Sequence, residues 1–195
     1  MRQRKRTIMF VFILSVCLFS NYTLLAQEYA VEDGKAFFKA KMPLNSYTGE
    51  SNELKGKVNF ETGQLEFSLS VKSIKTGIDK RDRHMYKLLK VDENPNVIFK
   101  GKLFENYDFT VKTKQVLKVK GNFTLAGTTR EVIIDIELTP EGKAIRLTSS
   151  WTLMITEYNI ERPSKFFFKV DDKHELGVNV LLEKEKMDNK LKKKR

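Results

Sequence analysis

Cysteine is almost missing from this chain of 195 residues: the one it has, Cys17, sits in an N-terminal stretch that reads as an export signal. A chain that starts in earnest at Gln27 has no thiol. That excludes disulfide staples and thiol catalysis and leaves the fold to rest on its core, which about 170 residues can supply as one domain. Histidine is nearly as scarce. His84 and His174 lie far apart and do not form a metal-ligand spacing. There is no G-x-S-x-G nucleophile elbow, no phosphate-cradling loop and no uninterrupted run of about 20 apolar residues to cross a membrane.

The N-terminal stretch has Arg2, Arg4, Lys5 and Arg6 as a basic head, Ile8 to Phe19 as an apolar run and Leu24-Leu25-Ala26 as a small-residue exit. This is the pattern of a signal peptide over 1–26. Ser15, Ser20, Asn21 and Tyr22 break the run too often for a transmembrane anchor. Leu14-Ser15-Val16-Cys17 is only a faint lipobox, with Val16 where a small residue is wanted. The expected destination is the periplasm or beyond.

A net charge of +11 suggests a polyanion partner until the charges are located. Setting aside the leader and a tail from Glu183 to Arg195, residues 27–182 hold 25 basic and 22 acidic residues, close to balance. Nucleic-acid binding is not expected, because the strands carry no basic stripe. The 183–195 tail reads as a solvated end; weak contact with an anionic membrane surface is the functional alternative.

Most of the remainder alternates apolar and polar residues with period two. Ala36, Phe38, Ala40 and Met42 share one face, as do Leu65, Phe67, Leu69 and Val71. So do Leu117, Val119, Gly121, Phe123 and Leu125. Val132, Ile134, Ile136 and Leu138 follow, with Ile133 as the exception. Ile145, Leu147, Trp151, Leu153 and Ile155 form a long strand face, and Leu176, Val178, Val180 and Leu182 close the series. Weaker segments near Tyr29, Tyr47, Leu54–Phe60 and Val97–Leu103 bring the count to eight to ten. Glu61-Thr62-Gly63, Ala126-Gly127-Thr128 and Pro140-Glu141-Gly142 have the composition of hairpin turns. Strands joined in this way run antiparallel, and so many with one apolar face must form a sandwich or a barrel.

One stretch changes period. In Ser73–Gly101, Asp79 is placed to cap a helix, Asp82 sits in its first turn, and Ile78 precedes it as a staple residue. Met85, Leu88 and Leu89 share a face, and Pro95 ends the element. The spacing predicts a short amphipathic helix over Asp79–Lys90, lying across one end of the β-structure. Arg81, Asp82 and His84 within it are read first as anchors of that helix and second as contacts to a ligand head.

SIKTGIDKRDRHMYKLLKVDENPNVIFKG resembles the signature of YceI-like domains through Thr76, Gly77, Arg81, Asp82, His84, Met85, Pro95, Ile98 and Phe99. The later VKGNFTLAGTTREVIIDIEL, Val119–Leu138, is similar to the hairpin of that family, and the resemblance spans about Leu44 to Leu182. It departs at Ile155-Thr156-Glu157-Tyr158-Asn159-Ile160, where many members have an Arg-Ser-x-Phe-Gly-like segment. The resemblance implies an all-β protein: an antiparallel, closed or nearly closed lipocalin-like barrel of about eight strands with one short helix.

It also implies an exported, non-enzymatic carrier for a long-chain amphiphile, such as a polyisoprenoid or an isoprenoid quinone, held in an apolar tunnel. No other cofactor is expected. Phe38, Phe67, Leu69, Phe99, Phe123, Trp151 and Leu153 are the expected tunnel residues, with Arg81, Asp82 and His84 at the head. Large and small residues share these faces, so periodicity does not separate a cavity from a self-packed core. The remaining readings are an exported stress or interaction protein with a filled barrel, and a lipid-modifying enzyme. The sequence is compatible with a homodimer.

Overall fold

The computed structural model describes residues 27–43, 45–165 and 168–185; the expected signal segment and the tail from 186 onward lie outside the described residues. Eight strands close into an antiparallel barrel: β1 (Glu28–Met42), β2 (Asn45–Asn59), β3 (Gln64–Ser70), β4 (Asn96–Leu103), β5 (Gln115–Leu125), β6 (Thr128–Glu141), β7 (Ala144–Met154) and, after an excursion, β10 (Lys173–Lys184). Around the wall they run β1-β10-β7-β6-β5-β4-β3-β2, and β1 also pairs with β2, so no edge is left open. The excursion holds a separate two-stranded ribbon, β8 (Ser164–Lys165) and β9 (Phe168–Lys169).

The strand count settles at eight because segments read separately in the sequence are continuous. Tyr29 and Phe38 both lie on β1, and Tyr47 and Val58 both lie on β2. Shifts in register near Val31, Gly34 and Ala36 break the alternation without ending either strand, as bulges do. At the β5–β6 turn, Ala126 and Gly127 both have positive φ, 49° and 77°, as a two-residue turn between paired Leu125 and Thr128 requires. Cross-strand pairs such as Lys118–Asp135 at 2.7 Å and Lys100–Glu66 at 2.9 Å line the outer face. Exposed pairs of this kind favour register more than stability.

Among the described residues the single α-helix, α1 (Asp79–Leu88), lies in the connection between β3 and β4. It is two residues shorter than expected, since Leu89 is its C-cap and Lys90 turns to φ 49°. Its N-cap is Ile78 rather than Asp79, with no side-chain cap. The carboxylate that anchors its start is Asp82, which is buried and accepts hydrogen bonds from Thr76 N at 2.9 Å and Thr76 Oγ1 at 2.5 Å. A charged acceptor thus ties the helix to the segment before it. That segment is held to β2 by reciprocal backbone bonds between Glu50 and Lys75, both 2.8 Å.

The two ends of the barrel differ. At the end away from α1, Tyr29, Phe60, Tyr107 and Phe109 interlock, with Tyr107 and Phe109 crossing edge-on at 4.8 Å and Tyr29 and Phe60 at 5.4 Å. Val58, Val119, Leu138, Val180 and Leu182 pack the adjoining layers to within 1 % of full burial. This half of the bore is a solid core. Among the described residues, no helix is long and apolar enough to cross a membrane.

Candidate ligand cavity

The half of the bore nearer α1 is open inside. A cavity of about 880 Å³ runs from the middle of the barrel to the helix end, within the range of small-molecule sites. Of the expected tunnel residues, Phe38, Phe67, Leu69, Phe99, Phe123, Trp151 and Leu153 all line it, as do Arg81 and His84 at its mouth. Asp82 does not. Its carboxylate is turned away into the Thr76 turn, because a buried charge has to be satisfied by donors. The structure therefore gives Asp82 a supporting position and not a place in the wall.

A bore this rich in phenylalanine stays hollow because of what stands opposite the rings. Phe38 pairs with Gly49, and Phe67 with Gly56. A Cβ at either glycine would collide with the ring. Phe99 lies over two glycines, Gly101 and Gly121, where an added Cβ would come within 2.8 Å of it. Each ring is folded against the wall over a neighbour without a side chain and so forms a lining instead of a plug. On the next strand Phe123, paired with Phe99, meets Trp151 and Tyr158 edge-on, both at 5.8 Å. Ala36 and Ser149 leave room between them.

The roof has two parts. On one side α1 contributes Met85, Leu88 and the rim cations Lys80, Arg81, Arg83 and Lys87. Arg81 is fixed by its guanidinium, 4.4 Å from the centre of the Tyr47 ring on β2. On the other side lies the segment in which the sequence departs from the family pattern. Ile155–Tyr158 forms a one-turn 3-10 helix ending at Asn159 with φ 58°. Ile155 at its start and Ile160 beyond its end line the cavity, joined by Pro163 and Val170. Asp172 holds this turn in place by accepting from Thr156 N at 3.0 Å and Thr156 Oγ1 at 2.6 Å, and these bonds keep its carboxyl below the usual range.

His174 was visible in the sequence only as an isolated histidine. Alternation with Leu176 and Val178 on β10 turns it inward, and it lines the cavity 6.1 Å from the Phe38 ring. That period-two register was the signal that could have placed it. Burial pushes its imidazole below the ordinary value, against the opposing pull of Asp172 and Asp171. His174 Nε2 and Trp151 Nε1 are the two buried side-chain polar atoms for which the described protein supplies no hydrogen-bond partner. Among the described residues, no aspartate or glutamate lines the cavity. Among the described residues, no cluster of three or more metal-ligating side chains occurs. The wall is thus apolar below, and basic and polar at the mouth.

The YceI-like domain model matches residues 22–182. A search of curated proteins returns no match. Among solved structures, the chain is similar to a polyisoprenoid-binding domain from Saccharophagus degradans implicated in plant cell wall breakdown. The TM-score is 0.67 at 12 % identity, covering 82 % of this chain and 99 % of that one. It is also similar to BcnA of Burkholderia cenocepacia, with a TM-score of 0.63 at 13 % identity, covering 76 % and 95 %. A third similarity is to a YCEI protein of Campylobacter jejuni, with a TM-score of 0.56 at 18 % identity, covering 70 % and 85 %.

Proposed function

The chain belongs to the YceI-like domain family, and we propose that its barrel is an exported, non-enzymatic carrier that holds one long-chain amphiphile, apolar chain inward and polar end toward α1. The observation that carries this reading is the apolar cavity of about 880 Å³ opening at the helix end. At roughly 30 Å³ per water-sized group, it has room for about thirty non-hydrogen atoms. Each methylene buried there contributes up to about 0.8 kcal/mol, so a chain of ten to twenty carbons retains useful affinity after its ordering costs. A wall of this kind measures length and girth, and only the mouth can choose between heads.

A self-packed barrel accounts for the sequence pattern but not for the cavity. Proton-transfer chemistry has little to draw on, since His174 and Tyr47 are the titratable groups of the described lining below the rim cations and His84. Burial moves the Tyr47 hydroxyl further from ionisation. The polyisoprenoid-binding domain of similar fold makes a polyisoprenoid or an isoprenoid quinone the first ligand to test. On this reading the 1–26 segment delivers the chain to the periplasm or outside the cell.

The test is organic extraction of natively purified protein followed by mass spectrometry. A carrier releases one amphiphile in near-stoichiometric amount. Recovery of none, together with no uptake of long-chain probes by folded protein, would remove the proposal.

A further inference from the structure

Three cations without a carboxylate partner among the described residues gather on α1 at the cavity mouth. Along the wall, Lys35, Lys55, Lys57, Lys100, Lys114, Lys118, Lys120 and Arg146 have a carboxylate partner within 4 Å, while Lys39, Lys41, Lys102 and Lys173, scattered over three strands, lack one among the described residues. On α1, Lys80, Arg83 and Lys87 have none among the described residues, although all three are exposed and border the cavity mouth. Their spacing of three and four residues puts them on one helical stripe, with His84 beside it. The carboxylates of the helix do not neutralise this stripe. Asp82 is buried and bonded to Thr76, and Asp79 at the helix start makes no ion pair among the described residues, its charge bearing on Lys75.

Beside the stripe stands Ile78, a large apolar residue 49 % exposed at the entrance to the helix and itself part of the mouth. A row of unpaired cations with an adjacent exposed apolar side chain is the composition of a surface that settles on anionic lipid headgroups. Here that surface is continuous with the opening of an apolar cavity. A chain passing from bilayer to bore at this point would not have to cross water, where each methylene is unfavourable.

We propose that the α1 rim is a membrane-docking face that seats the cavity mouth on an anionic bilayer through Lys80, Arg83, Lys87 and Ile78. This rests on the carrier reading for its purpose but not for its measurement. Binding to vesicles and retention of an amphiphile are separate readouts, so either can fail alone.

The experiment is co-sedimentation of the purified protein with vesicles of phosphatidylcholine alone or with about one third phosphatidylglycerol, the difference between the two being the quantity of interest. Wild type is expected to favour the anionic vesicles, with the preference fading as salt is raised past about 0.3 M. K80E/R83E/K87E is expected to lower that preference by at least about tenfold, and Ile78→Asp by several-fold, with the far-ultraviolet spectrum unchanged. The competing source is the basic tail. If K192Q/K193Q/K194Q/R195Q abolishes the preference and the rim variant keeps it, or if wild type shows none, the proposal is overturned. Extraction of wild type for bound amphiphile reads carriage separately from docking.

Discussion

Phe67 stands directly across the β3–β2 ladder from Gly56, and its ring lies where a side chain at position 56 would have to be. The space the glycine gives up at the wall is space the ring does not take from the bore. Phe38 over Gly49 repeats the arrangement. Gly56→Val is therefore expected to push the Phe67 ring inward, lowering stability by about 1–3 kcal/mol through overpacking. It should also shrink the longest chain the barrel accepts. Denaturant unfolding and uptake of a series of probes of increasing length measure the two effects; unchanged length selection in the folded variant would show that the ring does not set the bore.

Polarity in the wall tests the cavity more bluntly. Phe67 and Trp151 both line it, and an unpaired carboxylate there would have to be desolvated before any hydrocarbon could enter. Phe67→Glu and Trp151→Glu are expected to abolish uptake of long-chain probes wherever the variant folds. A folded variant with full uptake would take that residue out of the site.

Asp82 is expected to matter for stability and not for ligand contact. Removing its carboxylate leaves Thr76 N and Oγ1 without their acceptor, in a position only 5 % exposed. Asp82→Ala should lower stability by about 1–3 kcal/mol. Combining it with Thr76→Val should give clearly less than the sum of the two losses, since the second change removes a bond already broken. Additive losses would count against the anchor.

The closed end of the barrel is expected to behave as ordinary core. Phe60 is 4 % exposed and stacks on Tyr29, Tyr107 and Phe109. Phe60→Ala should lose about 3–5 kcal/mol. Phe60 does not line the cavity, so the fraction that remains folded should take up long-chain probes as wild type does; altered length selection would show that the closed end shapes the bore.

His174 brings a pH dependence whose sign follows from burial. Desolvation holds its folded-state value below the ordinary one, in spite of Asp172 and Asp171. The unfolded chain therefore binds a proton first as the pH falls. The stability associated with the neutral ring is fully present above the unfolded value of about 6.5 and is lost as the pH drops through it toward the folded value. Denaturant midpoints at pH about 7.5 and about 5 should fall less in His174→Gln than in wild type; an equal fall would assign the dependence to other groups.

Much of this molecule is legible in residue order. Period-two faces, turn compositions and one change of period give the antiparallel strands, the hairpins and α1, because each depends on neighbours a few residues away. Where that local signal was interrupted, as at the bulges near Gly34, one strand was read as two. Asp82, read first as an anchor of the helix and second as a contact to a ligand head, takes the first position because Thr76 supplies its donors. Membership of the cavity wall was largely readable for the same local reason, whereas His174 became visible only through its register with Leu176 and Val178.

Whether the barrel holds anything could not be read in this way. Composition lists the same phenylalanines and glycines for a filled core and for a hollow one. Pairing in three dimensions sets Phe67 on Gly56 and Phe99 on Gly101 and Gly121, gathers four rings into one end, and leaves the other end open beneath α1. Alternation along a strand says which way a side chain points; the residue on the next strand says how much room it leaves.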